Sequence, residues 1–150
     1  MKREYLDLIR TIERLHRRFL DVLRSELNRL GIRDINGVQA LLLANVGEEA
    51  VAIRDLVDRG YYQGSNVSYN IKKLSQMGYL EQNRSPHDRR SISITLTPKA
   101  LEVVKAVQDL EERIAKGLGE QSIKTQDMAA AIRTLRHVER AWTDFIHYGP

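Results

Sequence analysis

The 150-residue chain contains no cysteine. That absence excludes disulfide staples, thiolate catalysis, cysteine-based metal sites and thiol redox sensing together. No apolar run approaches the ~18 residues of a membrane span. The opening MKREYLDLIRTIERLHRR is charged and lacks the apolar core of a signal peptide. A cytoplasmic location with no membrane partner is the expectation. Catalytic signatures are missing as well: there is no H-E-x-x-H, no G-x-S-x-G elbow and no phosphate-loop pattern. Gly117-Leu118-Gly119 resembles the start of a dinucleotide fingerprint but follows a helical pattern instead of a strand. His87, His137 and His147 show no ligand spacing. No metal, cofactor or enzymatic activity is expected.

What is present suits one globular domain able to bury a core alone or with a twin, with 42% hydrophobic and 29% charged residues. There is no internal repeat and no low-complexity linker. The net charge of +4 is modest, but its distribution is uneven. Between Arg59 and Lys99 seven bases face only Glu81 and Asp88, a net +5, which leaves −1 for the rest of the chain.

Hydrophobic spacing predicts a long amphipathic helix from about residue 4 to 30, ended by Gly31. A second helix is capped by Asn36 and stops near Gly47, and a third covers Val51 to Asp58. The fourth runs over 65–77 with Ser65 as its cap and Gly78 as its stop. Ser91 to Leu96 then alternates polar and apolar, the pattern of a strand with one buried face, and pairs with Tyr79 to Arg84 in a hairpin. Thr97-Pro98 opens a helix that carries Leu101 to Leu118. After a break around Gly119 to Thr125, a last helix carries Met128 to Phe145. The predicted fold is mainly α with a small β-hairpin wing: a winged helix-turn-helix lobe over 36–97, flanked by long helices over 1–34 and 98–150. The wide apolar faces of those terminal helices call for a second copy of the chain, a homodimer.

On a helical wheel, Val67, Ile71 and Leu74 fill a narrow sector with Asn70 and Met77 at its flank. Opposite lie Ser65, Tyr69, Lys72, Lys73 and Gln76, with Asn66 and Ser68 at the borders. An ordinary solvated face mixes glutamate with lysine, and this one has no acid. Hydroxyls and amides can bond base edges, lysines can neutralise phosphates, and a helix start attracts a phosphate. Taken alone, a polar solvated face explains the pattern equally well. The context favours double-stranded DNA: a short helix, a turn with Gly60 and Gly64, the polar-faced helix, then a hairpin tipped by Arg89 and Arg90.

The order of elements and the stretch SNVSYNIKKLSQMGYLEQNRSPHDRRSISITLTPKA resemble the MarR family of winged-helix transcriptional regulators over nearly the whole chain. Asp88-Arg89-Arg90, followed by a strand and Leu-Thr, fits the family's Asp-x-Arg wing pattern most specifically. INGVQALLL and GYYQGSNVSYN look most like its LdtR and PetP type. The resemblance implies a homodimer with interlocked terminal helices on a pseudo-palindromic promoter site. It implies that Arg90 enters the minor groove and that Asp88 holds the wing arginine by an ion pair. It also implies a small aromatic or anionic effector in a crevice between dimer helices and lobe. His16 and Phe19 are candidates to line that crevice, a core-edge histidine and a core phenylalanine being the plainer reading. One departure is visible: the third helix has no Ser or Thr cap near Ala52.

The candidate DNA contacts are Ser65, Asn66, Ser68, Tyr69, Lys72, Lys73, Arg84, Asp88, Arg89 and Arg90. Tyr69 is the strongest single one, against the alternative of a tyrosine lying over a neighbouring side chain. Asn70 and Tyr62 are ambiguous between contact and packing. The rival function is a winged-helix module that binds another protein.

Overall fold

A computed structural model of the chain describes residues 1–59, 64–84 and 92–149, without the side chains of 64 and 65. Its first helix, α1 (Lys2–Arg29), ends where Gly31 takes a φ of +76° that any Cβ would strain. There the N–H of Ile32 bonds the carbonyl of Leu27 at 2.9 Å and that of Gly31 bonds Asn28 at 3.1 Å, closing the helix in a Schellman turn. Next comes α2 (Gly37–Val46), whose central leucine run leaves little polar surface; Ala40, Leu42 and Leu43 are wholly buried. A Cβ on Gly37 would stand 3.3 Å from the Leu20 carbonyl oxygen, so glycine lets α2 start close against α1.

A two-residue strand, β1 (Val51–Ala52), leads directly into α3 (Ile53–Asp58). The sequence reading places Val51 and Ala52 in the helix. Two residues are too few to display a strand's alternation, and the pairing that makes them one lies far along the chain, at Val51↔Ile94 and Ala52↔Ser93. Ala52 stands at the N-cap of α3 and makes no side-chain capping bond, as the missing Ser or Thr foretells. The fourth helix, α4 (Gly64–Gln76), starts one residue before Ser65, which therefore stands inside the first turn and not at the cap.

The strands β2 (Leu80–Arg84) and β3 (Ile92–Leu96) pair antiparallel with Leu80↔Leu96 and Arg84↔Ile92, and β3 is the middle strand of the order β1-β3-β2. Central placement buries Ile94 completely, as the alternation requires. Thr97 then caps α5 (Pro98–Glu120), its Oγ1 accepting from the N–H of Ala100 at 3.4 Å. Gly117 and Gly119 lie inside α5; the turn after it is made by Ser122 at a φ of +69°. The last helix is α6 (Thr125–Tyr148), whose first turn is tied by the Lys124 N–H donating to the Asp127 carboxylate at 3.3 Å.

Two compact units result, one from Met1 to Leu110 and one from Glu111 onward. The first holds the buried core: Leu23 and Leu27 of α1, the leucines of α2, Leu56, Val67, Ile71, Leu74, Tyr79 and Ile94, closed by Ala100, Val103 and Val107 of α5. None of the described helices is long and apolar enough to cross a membrane.

Candidate nucleic-acid interface

The apolar spacing of α4 turns Val67, Ile71 and Leu74 completely inward. That leaves Asn66, Ser68, Tyr69, Lys72, Lys73 and Gln76 exposed, Tyr69 by 60%. Lys73 Nζ lies 5.8 Å from the centre of the Tyr69 ring, so the phenol is flanked by a cation and not screened by one of the chain's acids. Among the described residues no carboxylate pairs with Lys72 or Lys73. Arg84 is exposed at the end of β2. That strand is stitched to α4 by Gln82 Nε2, which donates to Ser75 Oγ at 3.0 Å, while Ser75 Oγ donates to the Ile71 carbonyl at 2.7 Å. The side chain of Ser65 and the tip residues Asp88, Arg89 and Arg90 lie outside the described residues, as does Tyr62.

Asn70 is buried, which resolves its ambiguity toward packing. Its Oδ1 accepts from Gln39 Nε2 at 3.3 Å. Gln39 belongs to a capping box: Asn36 Oδ1 accepts from the Gln39 N–H at 2.8 Å, and Gln39 Oε1 accepts from the Asn36 N–H at 3.0 Å. The start of α2 and the middle of α4 are thus joined by one buried polar chain.

The other end of α4 is held too. Gly78 takes a φ of +82°, and the Tyr79 N–H donates to Leu74 at 2.9 Å, a second Schellman closure. Lys99, in the first turn of α5, donates to the Met77 carbonyl at 2.9 Å and to Asp34 Oδ2 at 3.2 Å. It sits 4.3 Å from the centre of the Tyr79 ring, and the Tyr79 hydroxyl donates to Asp34 Oδ1 at 2.7 Å. That hydroxyl, ahead of the Lys99 ammonium, holds the Asp34 carboxyl below the usual carboxylate value against the opposing effect of burial. Burial first, and Asp34 second, push the Tyr79 phenol far above its usual value. No sequence pattern singles out this cluster, whose members are 45 and 65 residues apart. The one usable signal is local: a helix stopped by glycine has carbonyls to satisfy, and a lysine opening the next helix is a ready donor.

Arg33, Ile32, Tyr79, Lys99, Glu102 and Val103 line an open cleft of about 440 Å³ beside this cluster. His16 and Phe19 are not among its walls: His16 is exposed on α1, and Phe19 is half-buried against the core.

Known proteins place this geometry. A winged helix DNA-binding domain model matches residues 35–100, the stretch from α2 through the sheet into α5. The exopolysaccharide II synthesis transcriptional activator ExpG of Rhizobium meliloti is 34% identical over 145 residues, covering 97% of this chain and 75% of its own. In fold, the chain is similar to Streptococcus pneumoniae FabT, solved in complex with DNA, at a TM-score of 0.75 and 16% identity over 94% of this chain and 99% of that one. A MarR transcriptional regulator from Methanosarcina mazei Go1 superposes at 0.72 with 19% identity over 91% and 96%. With the hairpin wing, the polar-faced α4 and the long helices in this order, the chain belongs to the MarR family of winged helix-turn-helix transcriptional regulators.

Proposed function

We propose that the chain works as a homodimer on pseudo-palindromic sites in double-stranded DNA, one α4 entering the major groove of each half-site and the 85–90 tip meeting the neighbouring minor groove. The observation that carries this reading is the exposed side of α4, an array of amides, hydroxyls, one phenol and two ammonium groups without a carboxylate. A protein-binding face would gain nothing from excluding acids, whereas a polyanion repels every one of them. Asn66, Ser68 and Tyr69 are assigned to bases and sugars, and Lys72, Lys73 and Arg84 to phosphates. Ser65 lies at the phosphate-facing start of α4, Arg89 and Arg90 enter the minor groove, and Asp88 steadies them. The fold shared with a FabT solved on DNA supports the same partner.

In this reading residues 1–34 and 98–150 provide the dimer helices and 36–97 the reading lobe. A small aromatic or anionic effector, bound near His16 and Phe19, alters the spacing of the two lobes, and the protein acts in the cytoplasm by binding and not by turnover. The test is a pair of substitutions measured across salt. Tyr69→Ala is expected to cost ~1 to 3 kcal/mol on the preferred duplex and to relax its sequence preference. Arg90→Ala should weaken all duplexes alike and lower the salt slope by about 1. Unchanged binding by both would remove the site assignment, and affinity indifferent to salt would favour the protein-binding module.

A further inference from the structure

Lys99 stands where three segments of the first unit meet: the loop after α1, the C-terminal end of α4 and the first turn of α5. Its ammonium is fully engaged, donating to the Met77 carbonyl at 2.9 Å and to Asp34 at 3.2 Å while facing the Tyr79 ring. A cation at the last carbonyls of α4 also complements the negative end of that helix. Thr97 adds a second link between the same two helices, its Oγ1 donating to the Gly78 carbonyl at 2.7 Å and its N–H to the Tyr79 carbonyl at 3.1 Å. Tyr79 supplies the anchor: it is buried, and its hydroxyl fixes Asp34 from the far side.

We propose that Lys99 is a positioning residue for sequence reading: through Asp34 and Tyr79 it clamps the C-terminal end of α4 to the start of α5, and so sets the angle at which α4 presents Tyr69 to the bases. The proposal rests on the DNA-binding reading. Its physical basis is leverage. The inward face of α4 is apolar contact, which resists withdrawal from the core but tolerates small rotations, whereas hydrogen bonds at the helix end fix direction. A shift of α5 is thereby also a shift of the reading helix. The half-exposed Lys99 could instead touch a phosphate, and salt dependence separates the two roles, since a lost phosphate contact lowers the salt slope and a lost positioning contact does not.

The experiment measures affinity for the tightest duplex selected from a random library and for a scrambled duplex of the same composition, each over a range of salt. The proteins are the unaltered chain, Lys99→Met and Tyr79→Phe, the last keeping the ring while removing the bond to Asp34. Lys99→Met is expected to lower the preference for the selected duplex about tenfold, the scale of one mismatched base pair, with the salt slope on the scrambled duplex unchanged. Tyr79→Phe should lower the preference in the same direction and speed amide exchange at Met77 to Leu80. A slope that falls by about 1 with the preference intact would make Lys99 a phosphate contact and overturn the proposal. Full preference in both variants would overturn it as well. Should the unaltered chain prefer no duplex, the DNA-binding reading itself falls, and the clamp's role with it.

Discussion

Asp34 and Tyr79 form a hydrogen bond whose value depends on pH at both ends of the scale. The Asp34 carboxyl is held below its ordinary 3.8, chiefly by the Tyr79 hydroxyl, so the folded chain favours the carboxylate. The stability this contributes is present above about pH 4 and is lost as pH falls through the depressed folded value. Tyr79 is shifted the other way, above its ordinary 10.0, chiefly by burial, so the folded chain holds the phenolic proton. That contribution is present below about pH 10 and fades as pH rises beyond it, because the unfolded phenol ionises first. Urea midpoints of the unaltered chain and Tyr79→Phe should therefore differ most at neutral pH and converge toward both extremes. A constant gap across the range would mean that the pair does not titrate as described. At this scale the sequence was legible where a residue's role follows from its neighbours. Tyr69 and Lys72 stand outward because Val67, Ile71 and Leu74 are bound inward by helical spacing. Asp34 carries no such mark, since its partners arrive only through the fold.

Among the elements, α2 depends on its N-terminal box more than most helices do. Its outer turns offer no charge pairs, and its last turn carries no basic residue. Asn36 could be recognised as a cap from its place before an apolar run, but the second job of Gln39, bonding Asn70 across 31 residues, could not. These two roles predict unequal costs. Asn36→Ala removes the cap and should destabilise the chain by about 1 kcal/mol. Gln39→Ala removes the reciprocal bond and strips a partner from the buried Asn70, for about 2 kcal/mol. Urea unfolding of both variants checks the order, and equal losses would leave the α2–α4 bond without energetic weight. The same contrast explains β1. Long elements such as α1, α5 and α6 repeat their pattern enough times to be read, whereas a strand of two residues is defined by Ile94 and Ser93 of β3 and not by itself.

For the whole molecule, the unburied apolar side chains say what one chain leaves unfinished. α6 has no buried residue, and Ile132, Leu135, Phe145 and Ile146 remain 38%, 48% or more exposed, Ile146 by 78%. On α1, Leu15 is 62% exposed while Leu23 and Leu27, farther along the same helix, are in the core. Apolar area of this kind is retained on a helix when another surface covers it, at roughly 25 cal/mol per Å² buried. The periodicity of the terminal helices shows in the sequence, but the identity of the cover does not, because a second copy adds no new sequence. If that copy is the cover, light scattering should give twice the 17.3 kDa of one chain. Ile132→Glu would set a charge in the seam, where an unpaired buried carboxylate costs several kcal/mol, and should yield a helical monomer. Two α4 helices on one frame, about 34 Å apart, engage two half-sites at once, and a monomer engages one. Ile132→Glu should then bind a single half-site as the unaltered chain does but lose most of its advantage on the paired site. A variant that stays dimeric, or a monomer that keeps the advantage, would show that α6 is covered by something other than its twin.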